Sequence, residues 1–546
     1  MSKQVKRSPA SGGLGLLLRN ADAAKPRPSG QERLTRAATE FVAKRLRQEA
    51  NRIWAGQPHE IAKAIDRLEQ AWALTRDPDM AVQLATMYDK ANRNGDALVV
   101  LREAFRRDPH HALVRHHSAI TLLRHGEATE IRDFFDSVIA LDPDDGFARF
   151  TLSLLDRYEH WIGQLAASIE TARDGRQPFI IACPVWGQPF AEHFVRYLCA
   201  GLLSTNNLPR IATRCAPHLA IFTTAETEAY LRADALFGRL SQHATIHFMR
   251  YEDEDAKFGK TMDACYGGTK VYYSKRSLAF YYARNCKFLL MSCAHYVALA
   301  AGRRTDAYVS CQVADTILND GALDVIAEKL AGPVDAVLIN SIALDGPVIR
   351  DAFDRYSRRP DGVLEITAAD CTRIVVEHLP AYNFADDQGR PRIPLRMCWR
   401  VGAQAVLVHG NHYHPMGLRP RAFDHPLHLS TDPVDSRFVD RSSLRLDRVH
   451  LVQDASIVGL SIEDGPLEEQ LVVGEASLPL EDVAFWLWGY WGRLRGALFR
   501  SPLRFGSAPP QNWREAEATA SAIVDAIVAR AAAFEEERQK MRSWRL

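Results

Sequence analysis

No CxxC pair, GxGxxG, GxxxxGK[ST] or HExxH occurs anywhere in the 546 residues. Without paired cysteines there is no ordinary zinc ribbon or dithiol redox site, and without the glycine fingerprints no ordinary dinucleotide or P-loop site. The nine cysteines run from Cys183 to Cys398, several inside apolar runs, a pattern expected of reduced, buried thiols in a cytosolic protein. Nothing approaches 18 uninterrupted apolar residues, which excludes a transmembrane helix, and Gly15–Leu18 is too short for a signal peptide's apolar region. A net charge of +1 argues against a dedicated nucleic-acid binder, whose domain is usually strongly basic. The expectation is a soluble, cytoplasmic protein, at most peripheral at a membrane.

What is present is ordinary for a large globular chain: 47% hydrophobic and 25% charged residues, with length for two or three domains. Residues 1–30 are basic and rich in Gly, Pro and Ser, a composition expected to stay disordered. A helix is expected from Gln31 to Trp54, its lysines and arginines forming a solvated face. Pro109 and Pro143 then stand 34 residues apart, the tetratricopeptide period. Small or apolar residues (Leu84, Ala85, Tyr88, Ala97, Leu101, Ala104) fall where two antiparallel helices must touch. An incomplete unit, Pro58–Asp77, precedes this array and a single helix near Phe147–Tyr158 follows it. Such arrays either bind peptides in a concave groove or pack on their own neighbour.

Near Gly175 the pattern changes to strand, helix, strand, helix, strand: 178–186, 191–203, 218–224, 225–240 and 244–251. Right-handed crossovers and a mostly parallel sheet follow. The first strand ends at Trp186. A long helix, Lys275–Ala301, offers Lys275, Arg276, Tyr281 and His295 as ligand-facing candidates. The stretch Arg304–Leu330 then reads as strand, strand, turn and helix. It sets Asp315 at a strand end and Asn319-Asp320-Gly321 at the mouth of the next helix. Ligands of open α/β sheets bind at the carboxyl ends of strands, and carboxylates there suit a Mg²⁺ or Mn²⁺ ion carrying a diphosphate. The alternative is that Asp320 caps the helix and Asp315 only ends a strand.

Five of the 19 histidines lie between His409 and His428, and His412 and His414 would share a face of a strand. They could ligate a metal, donate to phosphate, or simply pack beneath a loop. Asp432, Asp435 and Asp454 follow. The final stretch carries Trp486, Trp488 and Trp491 ahead of Arg493, Arg495, Arg500 and Arg504. The segment 485–505 could therefore lie on an anionic membrane or form a core helix with a basic end.

Four stretches together resemble a bacterial group of GT-A-like glycosyltransferases, some of which carry tetratricopeptide repeats. They are 184–209, 291–323, HGNHYHPMGLRPR at 409–421, and 430–439 with 449–454. The group's proline-aspartate and serine-aspartate-glycine elements stand here as Ala314-Asp315 and Asn319-Asp320-Gly321. His412-Tyr413-His414-Pro415 matches its His-x-His-Pro, while Ala455-Ser456 departs from acids that the group has near Asp454.

The resemblance implies a mostly parallel α/β sandwich of the GT-A/Rossmann type behind an all-α repeat region. The expected parts are a disordered 1–30, repeats over 31–174, the α/β domain over 175–480, and a helical extension, 481–546, packed on it. The implied activity is metal-assisted transfer of a sugar from a nucleotide-sugar donor to a protein or glycan acceptor, reached through the repeat groove. Asp315 and Asp320 would hold the metal. Trp186, Lys275, Arg276, Asn319, His412 and His414 would join them around the donor, with Asp432 or Asp454 as base. Alternatives are a non-catalytic interaction protein with a degenerate domain and a histidine-metal hydrolase centred on His409–His428.

Overall fold

The computed structural model describes residues 30–251, 278–339, 341–346, 350–353, 358–393, 396–410, 413–454, 456–463, 477–489 and 494–543. The chain opens with helices α1 (Gly30–Gly56), α2 (Ile61–Thr75), α3 (Pro78–Lys90), α4 (Asn94–Arg107), α5 (Ala112–His125), α6 (Ala128–Leu141) and α7 (Gly146–Thr171). Local chemistry sets these boundaries. The Asp77 carboxylate accepts from the Asp79 amide, with Pro78 inside the first turn of α3. Asn92, at a φ of 55°, makes the left-handed turn between α3 and α4. Asp108 and Asp142, each followed by proline, leave the helical region and end α4 and α6.

The two expected repeat pairs are thus α3/α4 and α5/α6. The unit expected to be incomplete is finished by α1, which packs along α2. Its fully buried positions are small, Ala43 and Ala50, with Leu46, Ile53 and Trp54 partly buried beside them, while Phe41 and Val42 stay exposed, so apolar periodicity was a poor guide to this contact.

Four parallel strands begin the second part: β1 (Gln177–Pro184), β2 (Cys215–Thr223), β3 (Thr245–Arg250) and β4 (Tyr308–Cys311). They are followed by β5 (Thr316–Leu318), β6 (Ala336–Ile339), β7 (Ile342–Asp345), β8 (Arg396–Arg400), β9 (Ala405–Gly410) and β10 (His414–Leu418). The last are β11 (Val449–Leu451), β12 (Gly459–Glu463) and β13 (Leu503–Gly506). The main sheet has seven strands in the order β3-β2-β1-β4-β10-β6-β11. All its pairings are parallel except those of β10, which runs backwards between β4 and β6. Two smaller sheets, β5-β12-β7 and β8-β9-β13, lie beside it. A helical repeat region followed by an α/β domain with a mostly parallel sheet is therefore the architecture.

One apolar core runs through both parts. Trp161 of α7 stands edge-on to Phe222 and Tyr251, each at 6.0 Å, and α7 lies along the helix Leu278–Thr305. Helix α5 buries Val114, His116, Ser118, Ala119, Ile120, Leu122 and Leu123. Burial on more than one side marks a helix enclosed by neighbours, not the wall of an open groove. Of the two roles open to the repeats, packing on their own α/β domain is the one the structure displays.

The C-terminal stretch extends one expectation and decides between two readings of another. The helix Leu480–Gly489 joins the core of α1–α4, with Phe485 at 5.9 Å from Trp54 and Asn92 Nδ2 donating to the Trp488 carbonyl at 3.5 Å. The extension therefore packs on the repeats as well as on β8 and β9. Phe485, Leu487, Trp488, Arg495 and Phe499 are all buried, so this apolar face is covered by protein and is not available to a membrane. Among the described residues no helix is long and apolar enough to cross a bilayer. Trp491 and Arg493 lie outside the described residues.

Candidate functional site

The order β3-β2-β1-β4 places β2 and β4 on opposite sides of β1, and in open α/β sheets such a change of direction, at the carboxyl ends of the strands, is where ligands bind. At the end of β1, Val185 donates its amide to the Phe222 carbonyl, and Trp186 is buried at 5.9 Å from Tyr251. Gly187, at a φ of 74°, then turns the chain into the helix Gln188–His193. A side chain would strain that left-handed turn.

The end of β4 is pinned by two imidazoles. His414 Nε2 donates to the Cys311 carbonyl at 2.8 Å, and His295 Nε2 to the Gln312 carbonyl at 2.9 Å. Burial, with His414 adding, holds His295 down at about 4 despite its hydrogen bond, so it is neutral at physiological pH. Gln312 Nε2 donates to Ser310 Oγ, which donates to the Met416 carbonyl. The expected phosphate donor His414 thus has its Nε2 proton engaged by the strand. His295, one of several candidates on a long helix, proves to be a positioning residue. Polar Ser310 and Gln312, alternating in an otherwise apolar strand, were the sequence signal for this network.

Asp315 follows in the turn after β4, half-buried. Burial and then the Asp315 carboxylate push the Cys183 thiol well above its ordinary value, which sets Asp315 beside the end of β1. Asp320 lies beyond β5, separated from Asp315 by roughly 15 Å of extended chain. Its two carboxylate oxygens accept from the Asn206 amide at 2.8 Å and from Asn206 Nδ2 at 2.6 Å. Gly321, not Asp320, is the N-cap of the helix Ala322–Ala331. Asn319 is buried and clamps a neighbouring loop: Nδ2 donates to the Ser456 carbonyl at 3.2 Å and Oδ1 accepts from the Val458 amide at 2.8 Å. Asp320 is thus engaged by Asn206 on both carboxylate oxygens, and Asn319 is a loop clamp.

Asp432 lies near this edge, its carbonyl accepting from Ser292 Oγ one turn before His295. Its carboxylate is buried and meets Arg441 Nη2, with Arg124 Nε of α5 at 3.4 Å. Arg124 in turn lies 3.6 Å from Asp89 of α3. Burial opposes the charge on Asp432, but Arg441, Arg437, Arg124 and His125 outweigh it and hold the carboxyl at about 2. A carboxylate so firmly ionised and paired is a poor proton acceptor. It ties the repeats to the α/β domain, a contact no sequence pattern could announce because Arg124 comes from another domain. Asp454 is exposed, and its Oδ1 accepts from the Ser456 amide at 3.1 Å. It follows β11, three strands and about 14 Å of sheet from β4.

The other histidines are dispersed. His409 Nδ1 donates to the Phe499 carbonyl at 2.9 Å, His425 packs edge-on at 4.4 Å from Phe438, and His428 Nδ1 donates to the Leu429 carbonyl at 3.0 Å. Among the described residues no three His, Cys, Asp or Glu side chains are grouped to share an ion. Lys275, Arg276 and His412 lie outside the described residues.

No family model and no curated protein sequence matches the chain. Among solved structures, a mutant O-GlcNAc transferase from Thermobaculum terrenum is similar over 43% of this chain and 45% of that chain, at 14% identity and a TM-score of 0.18. A likeness of that degree carries no argument about this chain.

Proposed function

We propose that this protein binds a nucleotide-sugar donor in the crevice between β1 and β4 and transfers its sugar to a protein or glycan acceptor. The observation that carries this reading is the β3-β2-β1-β4 order with a half-buried carboxylate, Asp315, just beyond the carboxyl end of β4. The reversed strand β10 separates the sheet from a plain dinucleotide fold and supports the GT-A-like reading. A Mg²⁺ or Mn²⁺ ion fits Asp315, because such ions take one or two carboxylates and fill the remaining positions with water and phosphate oxygens. When bound, the ion would supply positive charge to the diphosphate leaving group. The chain's own residues do the rest. Asp315 orients the diphosphate, the imidazoles of His295 and His414 hold the end of β4 so that Asp315 keeps its place, and Trp186 fills the base of the crevice. Lys275, Arg276 and His412 are proposed as further donors to the phosphates.

The test is thermal denaturation with a panel of nucleotide sugars, with and without Mg²⁺ or Mn²⁺. A donor at a hundredfold excess over its Kd stabilises by about 2.7 kcal/mol. Asp315→Asn is expected to remove the metal-dependent part of that shift while leaving the unliganded melting point nearly unchanged. Asp320→Asn is expected to do the opposite, costing about 1.5–3 kcal/mol through its bonds to Asn206 and sparing the shift. A shift lost in Asp320→Asn and kept in Asp315→Asn would relocate the site. The competing reading is an interaction protein with a degenerate domain, favoured by the engagement of Asn319, His414 and Asp432 in internal bonds. No shift with any donor would establish that reading in place of the first.

A further inference from the structure

Arg396, the first residue of β8, carries a charge that its surroundings leave unanswered. Its Nη2 donates to the Ser341 carbonyl at 2.6 Å, and among the described residues that is the only hydrogen bond of the side chain. Nε is fully covered and has no hydrogen-bond partner, while the residue as a whole is half-buried and so keeps part of its surface open. Burial pulls its pKa below the ordinary arginine value, against the Cys398 thiol and the Tyr382 phenol. Neither group is a carboxylate. A desolvated guanidinium with one carbonyl oxygen to offset it is costly until an anion completes its shell.

Other enclosed arginines of the chain show what a structural role requires. Arg303 divides its hydrogens among the carbonyls of Pro420, Phe423 and His425. Arg115 and Arg124, whose Nε atoms are also covered, face Asp142 at 3.0 Å and Asp432 at 3.4 Å. Arg396 has neither arrangement. Its position matters as much as its charge. Ser341 lies two residues beyond β6, whose last residue, Ile339, pairs with His414 of β10. Because β10 is antiparallel to both β4 and β6, those two strands run the same way. The guanidinium therefore stands at the carboxyl edge of the main sheet, two strands and about 10 Å of sheet from β4. Asp315 follows β4 on the same edge, the one at which ligands of open α/β sheets bind.

We infer that Arg396 is an anion-binding residue, which takes phosphate oxygens of a ligand lying along this edge of the sheet. A guanidinium suits phosphate because its planar fork presents several hydrogens at once. Assigning those oxygens to the diphosphate of the donor rests on the function proposed above, whereas the anion site itself does not.

The experiment is calorimetric titration of the full chain with inorganic pyrophosphate, orthophosphate and the panel of nucleotide sugars. Pyrophosphate is titrated without divalent metal, so that the reading comes from Arg396 and not from an ion at Asp315. Arg396→Met keeps the length of the side chain and removes its charge. It is expected to weaken both pyrophosphate and the nucleotide sugar at least about tenfold. The unliganded melting point should stay level or rise, because an uncompensated buried charge has been removed. No pyrophosphate binding by the wild type, equal binding by Arg396→Met, or a variant that fails to fold would each overturn the inference, the last by showing the guanidinium to be a strut. Pyrophosphate bound through Arg396 with no nucleotide sugar bound would uphold the anion site and remove sugar transfer. A nucleotide sugar bound alike by wild type and variant would uphold the donor reading and remove Arg396 from it. Orthophosphate as tight as the best nucleotide sugar would assign the site to free phosphate in place of the donor.

Discussion

A fragment beginning at residue 175, with all the helical repeats removed, is expected to aggregate and not to fold as an independent α/β domain. In the helix Leu278–Thr305, Leu289, Leu290, Cys293, Ala294, Val297, Ala298 and Ala301 are each 0% exposed. Ser292 and Leu299, on the opposite side of the helix, are 0% exposed as well, so this part of the helix is enclosed around its circumference, and α7 supplies part of that enclosure. Deletion would also bare Phe222 and Tyr251, which Trp161 covers, and the Phe485–Trp488 face that α1–α4 cover. An exposed patch of that kind associates. Size-exclusion chromatography of the fragment should show soluble aggregate or no soluble protein. A monodisperse fragment with a cooperative melt would show that the two parts fold separately. Trp161→Ala in the full chain tests the same interface more gently, with an expected loss of about 3–5 kcal/mol in urea denaturation.

Asp432→Ala should cost a similar amount, about 3–5 kcal/mol, because it leaves the Arg441 and Arg124 guanidiniums facing each other across a buried position without their carboxylate. The acid dependence of stability tests the same assignment. The folded Asp432 carboxyl is held at about 2, below the ordinary aspartate value of about 3.9. Its contribution is therefore complete above pH ~4 and is lost as pH falls from there through about 2. Asp432→Asn should flatten that limb of the stability curve while retaining the fold at neutral pH. If Asp432→Ala kept full stability but abolished transfer activity, the carboxylate would be the catalytic base that its sequence position suggested, and its role as a clamp would be wrong.

Much of the fold was legible because its causes are local. The Asp-Pro turns after α4 and α6 are written in adjacent residues, as is the run of small and apolar positions that pairs α3 with α4. The buried strands β1 and β2 are continuous apolar runs, and the alternation of strand with helix dictates parallel pairing between them. Asp315 could be placed at a strand end from the short apolar stretch before it and the turn after it. The absent glycine fingerprints likewise excluded whole classes of site without any coordinates.

What the sequence alone did not decide depends on which distant surfaces meet. The reversed insertion of β10 between β4 and β6 joins residues 309 and 418, and no periodicity specifies such a pairing. An aromatic run such as FWLWGYW looks the same whether protein or lipid will cover it, and only the packing of Phe485 against Trp54 assigns it to protein. Aspartates have the same ambiguity. Asp320 reads as a cap or a ligand until Asn206 is found on both its oxygens, and Asp432 reads as a base until Arg441 and Arg124 close around it. Backbone preferences are set by neighbours within a few residues. The role of a charged side chain is set by the burial and counter-charges around it, and for Asp432 these include Arg124, which comes from another part of the chain.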